Sequence, residues 1–119
     1  MAEPMETSPL ALPFPDLAPL AGVRIGTASV PYKKWTRDCV TLVELAPGTA
    51  VAGVTTQSKC PSPEVELCRA KLPGGRARGL VVNAGNSNAF TGAAGRAAAE
   101  AQAARVAAVL GCPVDQVFS

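Results

Sequence analysis

Between Gly79 and Leu110 the chain passes from a short β-branched run, through a turn of glycine and amide residues, into a segment built mostly of alanine. That order admits few local structures. GLVVN, Gly79 to Asn83, reads as a buried strand. Ten of the 18 residues from Ala93 to Leu110 are alanine, the residue with the highest helix propensity, and Gly111 with Pro113 supplies the stop. A helix clothed in methyl groups presents a smooth face on which another layer packs closely. The same composition limits the core. Alanine accounts for 22 of the 119 residues and Leu, Ile, Val and Phe together for 27, above the range of disordered chains. Yet burial stabilises by about 25 cal/mol per Å², and small side chains bring little area. A chain of this length is one small domain, and this one reads as an incomplete unit that needs a partner surface.

The remaining segments divide at about residue 20. Residues 1–20 carry Pro4, Pro9, Pro13, Pro15 and Pro19, which prevent a helix and interrupt a strand ladder, so an extended arm is predicted. Residues 21–119 form the second unit. AGVRIGTASV places Val23, Ile25 and Thr27 on one face of a half-buried strand that ends at Pro31. Tyr32 to Asp38 reads as a hairpin connection. CVTLVEL, the Ala46-Pro47-Gly48 turn and TAVAGVTT predict a second antiparallel hairpin, with Gly53 marking a bulge or a close backbone approach. Strands are thus expected at 22–29, 39–45, 50–56 and 79–83. Ser62 as N-cap, Pro63 at the first helical position and Glu64 in the first turn predict a short helix through Lys71, ended by Pro73-Gly74-Gly75. The pair Val117-Phe118 reads as the start of a further strand, as though the chain were cut there.

Charge and residue type exclude several classes. The net charge is +2 with no like-charge run longer than Lys33-Lys34, against the concentrated basic face of a nucleic-acid binder. No stretch approaches the roughly 18 apolar residues of a membrane span. The N-terminus carries Glu3, Glu6 and prolines in place of a basic n-region, so a cytoplasmic location is expected. Cys39, Cys60, Cys68 and Cys112 are spaced by 21, 8 and 44 residues, without a CxxC pair, and read as free thiols rather than a zinc site or a disulfide framework. The sequence contains no histidine. Ser-His-Asp and Cys-His catalysis therefore cannot be assembled from it, and any chemistry must rest on hydroxyls, backbone amides, carboxylates or lysines.

A strand, a glycine-rich turn and a helix N-terminus form a device for stabilising negative charge, because unpaired N–H groups gather there. A P-loop is excluded: Gly92 is followed by Ala93 and Ala94, not Lys and Ser or Thr. The dinucleotide fingerprint fails on the spacing of Gly85, Gly92 and Gly95. What remains is a small anion or the oxyanion of an acyl transfer. Thr91 offers a hydroxyl and Gly92 an unobstructed N–H, adjacent and able to serve one oxygen. The plainer reading makes Thr91 the helix N-cap and Gly92 a turn residue. Asn83, Asn86 and Asn88 read as turn residues bonding the local backbone, dense enough to hold it in one shape. Lys33, Lys34, Arg37 and Lys59 read as a solvated face.

LVVNAGNSNAFTGAAG, from Leu80 to Gly95, resembles the Val-Val-Asn-Ser-Gly-Asn-Ala-Asn-Ala-x-Thr-Gly signature of the ornithine acetyltransferases, the bifunctional glutamate N-acetyltransferases of arginine biosynthesis. GVRIGTA at Gly22 to Ala28, Tyr32, Asp38, PGTAVAGVTT at Pro47 to Thr56, and the stretch from Pro63 through Cys68 to Leu72 resemble the same family in the same order. VVNAG also resembles a stretch of the short-chain dehydrogenases, whose cofactor loop and Tyr-x-x-x-Lys pair are absent here.

The acetyltransferase resemblance implies an α/β fold, a layered αββα sandwich of the N-terminal-nucleophile kind, left incomplete in this chain. It implies a precursor that cleaves itself before a threonine into an α and a β chain. The new N-terminal threonine takes the acetyl group of N-acetylornithine and passes it to glutamate in a ping-pong cycle. By the same resemblance Thr91 and Gly92 form the oxyanion hole, the β chain is the partner in an α₂β₂ heterotetramer, and no cofactor, metal, nucleic acid or membrane is involved. The nucleophile and the substrate ligands are expected beyond residue 119, so the isolated chain is expected to be inactive. Ala84 and Ser87 stand where the signature has serine and alanine, and Pro31 and Trp35 make the first connection unlike the common form. Two other readings stay open at this point: a related N-terminal-nucleophile aminopeptidase or amidohydrolase, and a non-catalytic chain that acts only by binding.

Overall fold

The computed structural model describes residues 7–30 and 37–119. Most of the predicted Tyr32–Asp38 connection, with Lys33, Lys34 and Trp35, lies outside the described residues. Residues 7–20 form neither helix nor strand and are exposed throughout.

Four strands form one sheet: β1 (Val23–Ala28), β2 (Val40–Leu45), β3 (Gly79–Asn83) and β4 (Val117–Phe118), in that spatial order. Strands β1, β2 and β3 are antiparallel neighbours, with Ile25 opposite Val43 and Val43 opposite Leu80, while β4 joins β3 in parallel. Cross-strand Arg24 and Glu44 form an ion pair, and Thr27 donates a hydrogen bond to Asp38. Helix α1 (Pro63–Lys71) has Ser62 at its N-cap and Pro63 in its first turn, and α2 (Gly92–Leu110) ends at Gly111 in the left-handed conformation, with φ of 61°. Helix α2 packs on β3 and β4, and α1 packs beside α2 and against β4. The arrangement is a helical layer on a sheet, an α/β architecture as expected.

The buried face of α2 is a stripe of Gly95, Ala99, Ala103, Val106 and Ala107. These residues recur three or four apart, so they share one side of the helix. The core joins Val81, Ala103, Val106, Ala107 and Val117, with Val40, Leu42, Leu110 and Cys112 at its margin. Contact is close enough that a Cβ at Gly79 would lie 2.8 Å from Leu110 Cδ1. Lys71 anchors α1 to the last strand, its Nζ donating to the Val117 carbonyl at 2.7 Å, and burial pushes the ammonium pKa down from its ordinary value.

Three expectations are corrected. Residues 50–56 are not a strand, and there is no hairpin between them and β2. Both edges of β2 are already paired, with β1 and β3, so this segment cannot form the predicted hairpin with β2. Only its first residue pairs, Ala50 bridging Arg76, flanked by Val51 N–H donating to Gly75 O at 3.1 Å and Ala77 N–H to Thr49 O at 3.0 Å. Gly53 marks neither a bulge nor a tight approach, since a Cβ there would meet Leu72 at an ordinary 3.5 Å. In β1, Val23 is half-buried, but Ile25 is 67% exposed and Thr27 exposed as well. β1 is an edge strand beyond the reach of α2, and Ile25, Val40, Leu42, Val109 and Leu110 line an open apolar cleft of about 710 Å³ beside it.

Candidate active site

The segment linking β3 to α2 leaves the sheet with Ala84 N–H bonded to Cys39 O at 2.8 Å. Gly85 then takes φ of 116°, open to glycine and strained for other residues. Phe90 also has a positive φ, 59°, although it is not glycine and its side chain is exposed. A left-handed residue of this kind costs about 1–2 kcal/mol, and it persists where surrounding contacts over-determine the backbone. Gly92 follows with φ of 63° as the first residue of α2.

Thr91 stands at the N-cap position, yet its hydroxyl caps nothing in the helix. Thr91 Oγ1 instead donates to the main-chain carbonyl of Asn88 at 2.5 Å, and Thr91 N–H reaches the same oxygen at 3.3 Å. Both Thr91 and Gly92 are exposed. As first residue of the helix, Gly92 has no intrahelical acceptor for its N–H, and the helix dipole favours negative charge at this end. A hydroxyl and an N–H thus sit on adjacent residues at the positive end of a 19-residue helix.

Gly95 makes this geometry possible. A Cβ at that position would lie 1.7 Å from Thr91 Oγ1 and 3.1 Å from the Asn88 carbonyl oxygen. The sequence offered a signal for this role, a glycine one helical turn after the threonine inside an alanine helix.

The turn is also tied to α1. Asn88 Nδ2 donates to Glu64 Oε1 at 2.5 Å across 24 residues of sequence. Two residues further along α1, Glu66 pairs with Arg96 of α2 at 3.0 Å, and Arg96 pairs in turn with Glu100 at 3.0 Å. Asn83, Asn86 and Asn88, separate in the sequence, line one cleft of about 430 Å³ with Ser62, Glu64 and Ser87. Gly92 borders a second cleft of about 350 Å³ with Cys60, Phe90 and Arg96. Among the described residues, Arg37 and Lys59 are exposed, Cys39 is buried, Cys60 exposed, and Cys68 and Cys112 half-buried, all four thiols free. No group of three or more metal-ligating side chains is found among the described residues, and no described helix is long and apolar enough to cross a membrane.

Comparison with known proteins places these features in a family. The ArgJ family model matches residues 24–119. The chain is 54% identical over 112 residues to the arginine biosynthesis bifunctional protein ArgJ of Zymomonas mobilis, covering 93% of this chain and 27% of the relative. It is 47% identical over 118 residues to the ArgJ of Gluconobacter oxydans, covering 99% and 28%. The chain therefore spans about a quarter of the length of the curated relatives it matches. Among solved structures, the ornithine acetyltransferase of Mycobacterium tuberculosis complexed with ornithine superposes with a TM-score of 0.77 at 32% identity, covering 82% of this chain and 53% of that one. The ArgJ of Bacillus halodurans, at 21% identity and the same TM-score of 0.77, has the same fold, covering 82% of this chain and 51% of its own. With the family model matched from Arg24 to Ser119 and the fold shared with both solved structures, the chain belongs to the ArgJ family.

Proposed function

We infer that this chain forms the N-terminal part of the α chain of an enzyme that moves an acetyl group from N-acetylornithine to glutamate in arginine biosynthesis, and that Thr91 and Gly92 supply its oxyanion hole. The observation that carries this reading is the pairing of Thr91 Oγ and Gly92 N–H at the exposed start of α2, with the Thr91 hydroxyl not used as a helix cap.

The chemistry follows from those two donors and a nucleophile supplied by the rest of the protein. The hydroxyl of an N-terminal threonine on the β chain attacks the acetyl carbonyl carbon, and its proton passes to that residue's own α-amine. The α-amine of that N-terminal threonine is the general base in this reading. The carbonyl oxygen becomes an oxyanion between the Thr91 hydroxyl, rotated away from Asn88, and the Gly92 N–H. Collapse of the tetrahedral intermediate breaks the C–N bond and releases ornithine, which takes up the proton. Glutamate's amine then attacks the acetyl-threonine carbonyl, giving a proton to the threonine α-amine, and the second oxyanion occupies the same hole; its collapse breaks the C–O bond to threonine, whose oxygen takes the proton back as N-acetylglutamate leaves. The two units, residues 1–20 as an arm and 21–119 as part of the catalytic domain, act within an α₂β₂ assembly in the cytoplasm.

In the full-length protein Thr91→Ala is expected to lower kcat for acetyl transfer by about 10²-fold or more, the usual consequence of removing one oxyanion donor. Steady-state transfer assays with N-acetylornithine and glutamate check this. Activity within twofold of the parent would make Thr91 a structural residue only. Release of acetate in place of N-acetylglutamate would assign the protein to the hydrolases of the same nucleophile class.

A further inference from the structure

We propose that Glu64 is a positioning residue for the oxyanion site, its carboxylate holding the Asn88 turn so that the bond from Thr91 N–H to the Asn88 carbonyl keeps Thr91 in place when its hydroxyl turns to the oxyanion. The inference rests on the assignment of Thr91 made above.

The connection is continuous in the structure. Glu64 Oε1 accepts from Asn88 Nδ2 at 2.5 Å, and Asn88 O accepts both the hydroxyl and the N–H of Thr91, at 2.5 and 3.3 Å. Among the described residues the other bonds around residue 88 are local: Ser87 Oγ accepts from Ala89 N–H, and Thr91 reaches back three residues. The Glu64 bond spans 24 residues and fastens the turn to a different element. Its acceptor is a carboxylate oxygen, and hydrogen bonds to charged acceptors are about twice as strong as neutral ones. Glu64 also lies in the first turn of α1, where the helix dipole favours its negative charge. Both residues are half-buried, which limits competition from water.

The base of this brace is itself held. Glu66, two residues further along α1, pairs with Arg96 on α2, so α1 is tied to the helix whose first residues carry the proposed site. Without Glu64, Asn88 keeps only local restraints, and its carbonyl can drift relative to the start of α2. Thr91 follows, since its N–H is bonded to that carbonyl and remains so when the hydroxyl turns to the oxyanion. Misplacement of a catalytic group by about 1 Å costs up to about 10²-fold in rate.

The test is kinetic, on the full-length protein. Glu64→Ala is expected to lower kcat about 10-fold with KM unchanged within about twofold, because a misplaced donor weakens the transition state rather than substrate binding. Glu64→Gln, which keeps an acceptor oxygen, recovers most of that loss. Asn88→Asp sets two carboxylates against each other and should be at least as damaging as Glu64→Ala. Adding Glu64→Gln to Asn88→Asp restores a donor and an acceptor in reversed order and should rescue kcat. In a Thr91→Ala background Glu64→Ala should cost nothing further, since residues acting as one unit are not additive.

Two results would overturn the brace while leaving the oxyanion site standing. One is Glu64→Ala within twofold of the parent while Thr91→Ala loses its 10²-fold. The other is an undiminished Glu64→Ala loss on top of Thr91→Ala. Thr91→Ala without effect would remove the reading on which both stand. Should Glu64→Ala fail to fold, the Asn88→Asp loss and its rescue by Glu64→Gln decide the matter, and failure of that rescue counts against the brace.

Discussion

At the scale of single residues, the site depends on what is missing from position 95. Thr91 and Gly92 are legible in the sequence because hydroxyl, glycine and helix start are adjacent there. The orientation of the Thr91 hydroxyl is not legible, because it is set by the Asn88 carbonyl and by the empty space at Gly95. Gly95→Ala is therefore expected to push the hydroxyl from its place and lower kcat by an amount approaching that of Thr91→Ala, about 10²-fold. In the same assay Ala94→Ser, on the exposed side of the same turn, should leave kcat near the parent value. Equal activities for the two variants would refute a fixed Thr91 geometry. Phe90 follows the same logic: nothing in its residue type signals a left-handed backbone, which the turn imposes.

At the scale of elements, local chemistry predicted the helices well and the third predicted strand badly. Pro63, Gly111 and a run of alanines act within a few residues of themselves, so α1 and α2 begin and end close to where their caps stand in the sequence. Residues 50–56 have the composition of a strand, but β1 and β3 occupy both edges of β2, the neighbour with which the predicted hairpin would pair. The alanines of α2 divide by position. Ala99 and Ala103 are buried while Ala98 and Ala104 are exposed, a separation set by how the helix docks on its neighbours. Ala103→Leu should destabilise the full-length protein by about 1–3 kcal/mol through overpacking. Ala104→Leu should change stability by less than about 0.5 kcal/mol. Chemical denaturation of the two variants side by side measures the difference, and equal midpoints would mean that α2 is not docked through this stripe.

At the scale of the whole molecule, the apolar surface is out of proportion to the core. Ala99, Ala103, Ala107 and three valines account for much of what is buried, while Leu12, Phe14, Ile25, Val54 and Phe90 are each more than 60% exposed. Exposure on this scale marks surfaces meant for contact. The 119 residues expressed alone are therefore expected to bind a hydrophobic dye and to melt without a sharp transition. A sharp, cooperative melt at monomeric mass would show that they form a complete fold. Much was determined by the sequence alone: the two helices and where they start and stop, three strands, the beginning of a fourth at Val117, the absence of histidine from this chain, and the adjacency of Thr91 and Gly92 at the start of α2. All of these follow from interactions between near neighbours or from residue chemistry itself. Only the tertiary structure decided that residues 50–56 stay outside the sheet, that Ile25 faces solvent, that Gly95 makes room for Thr91, and that Glu64 reaches Asn88. Each of those depends on groups far apart in the chain being brought together, and which groups meet is settled by the packing of elements, not by the residues within any one of them.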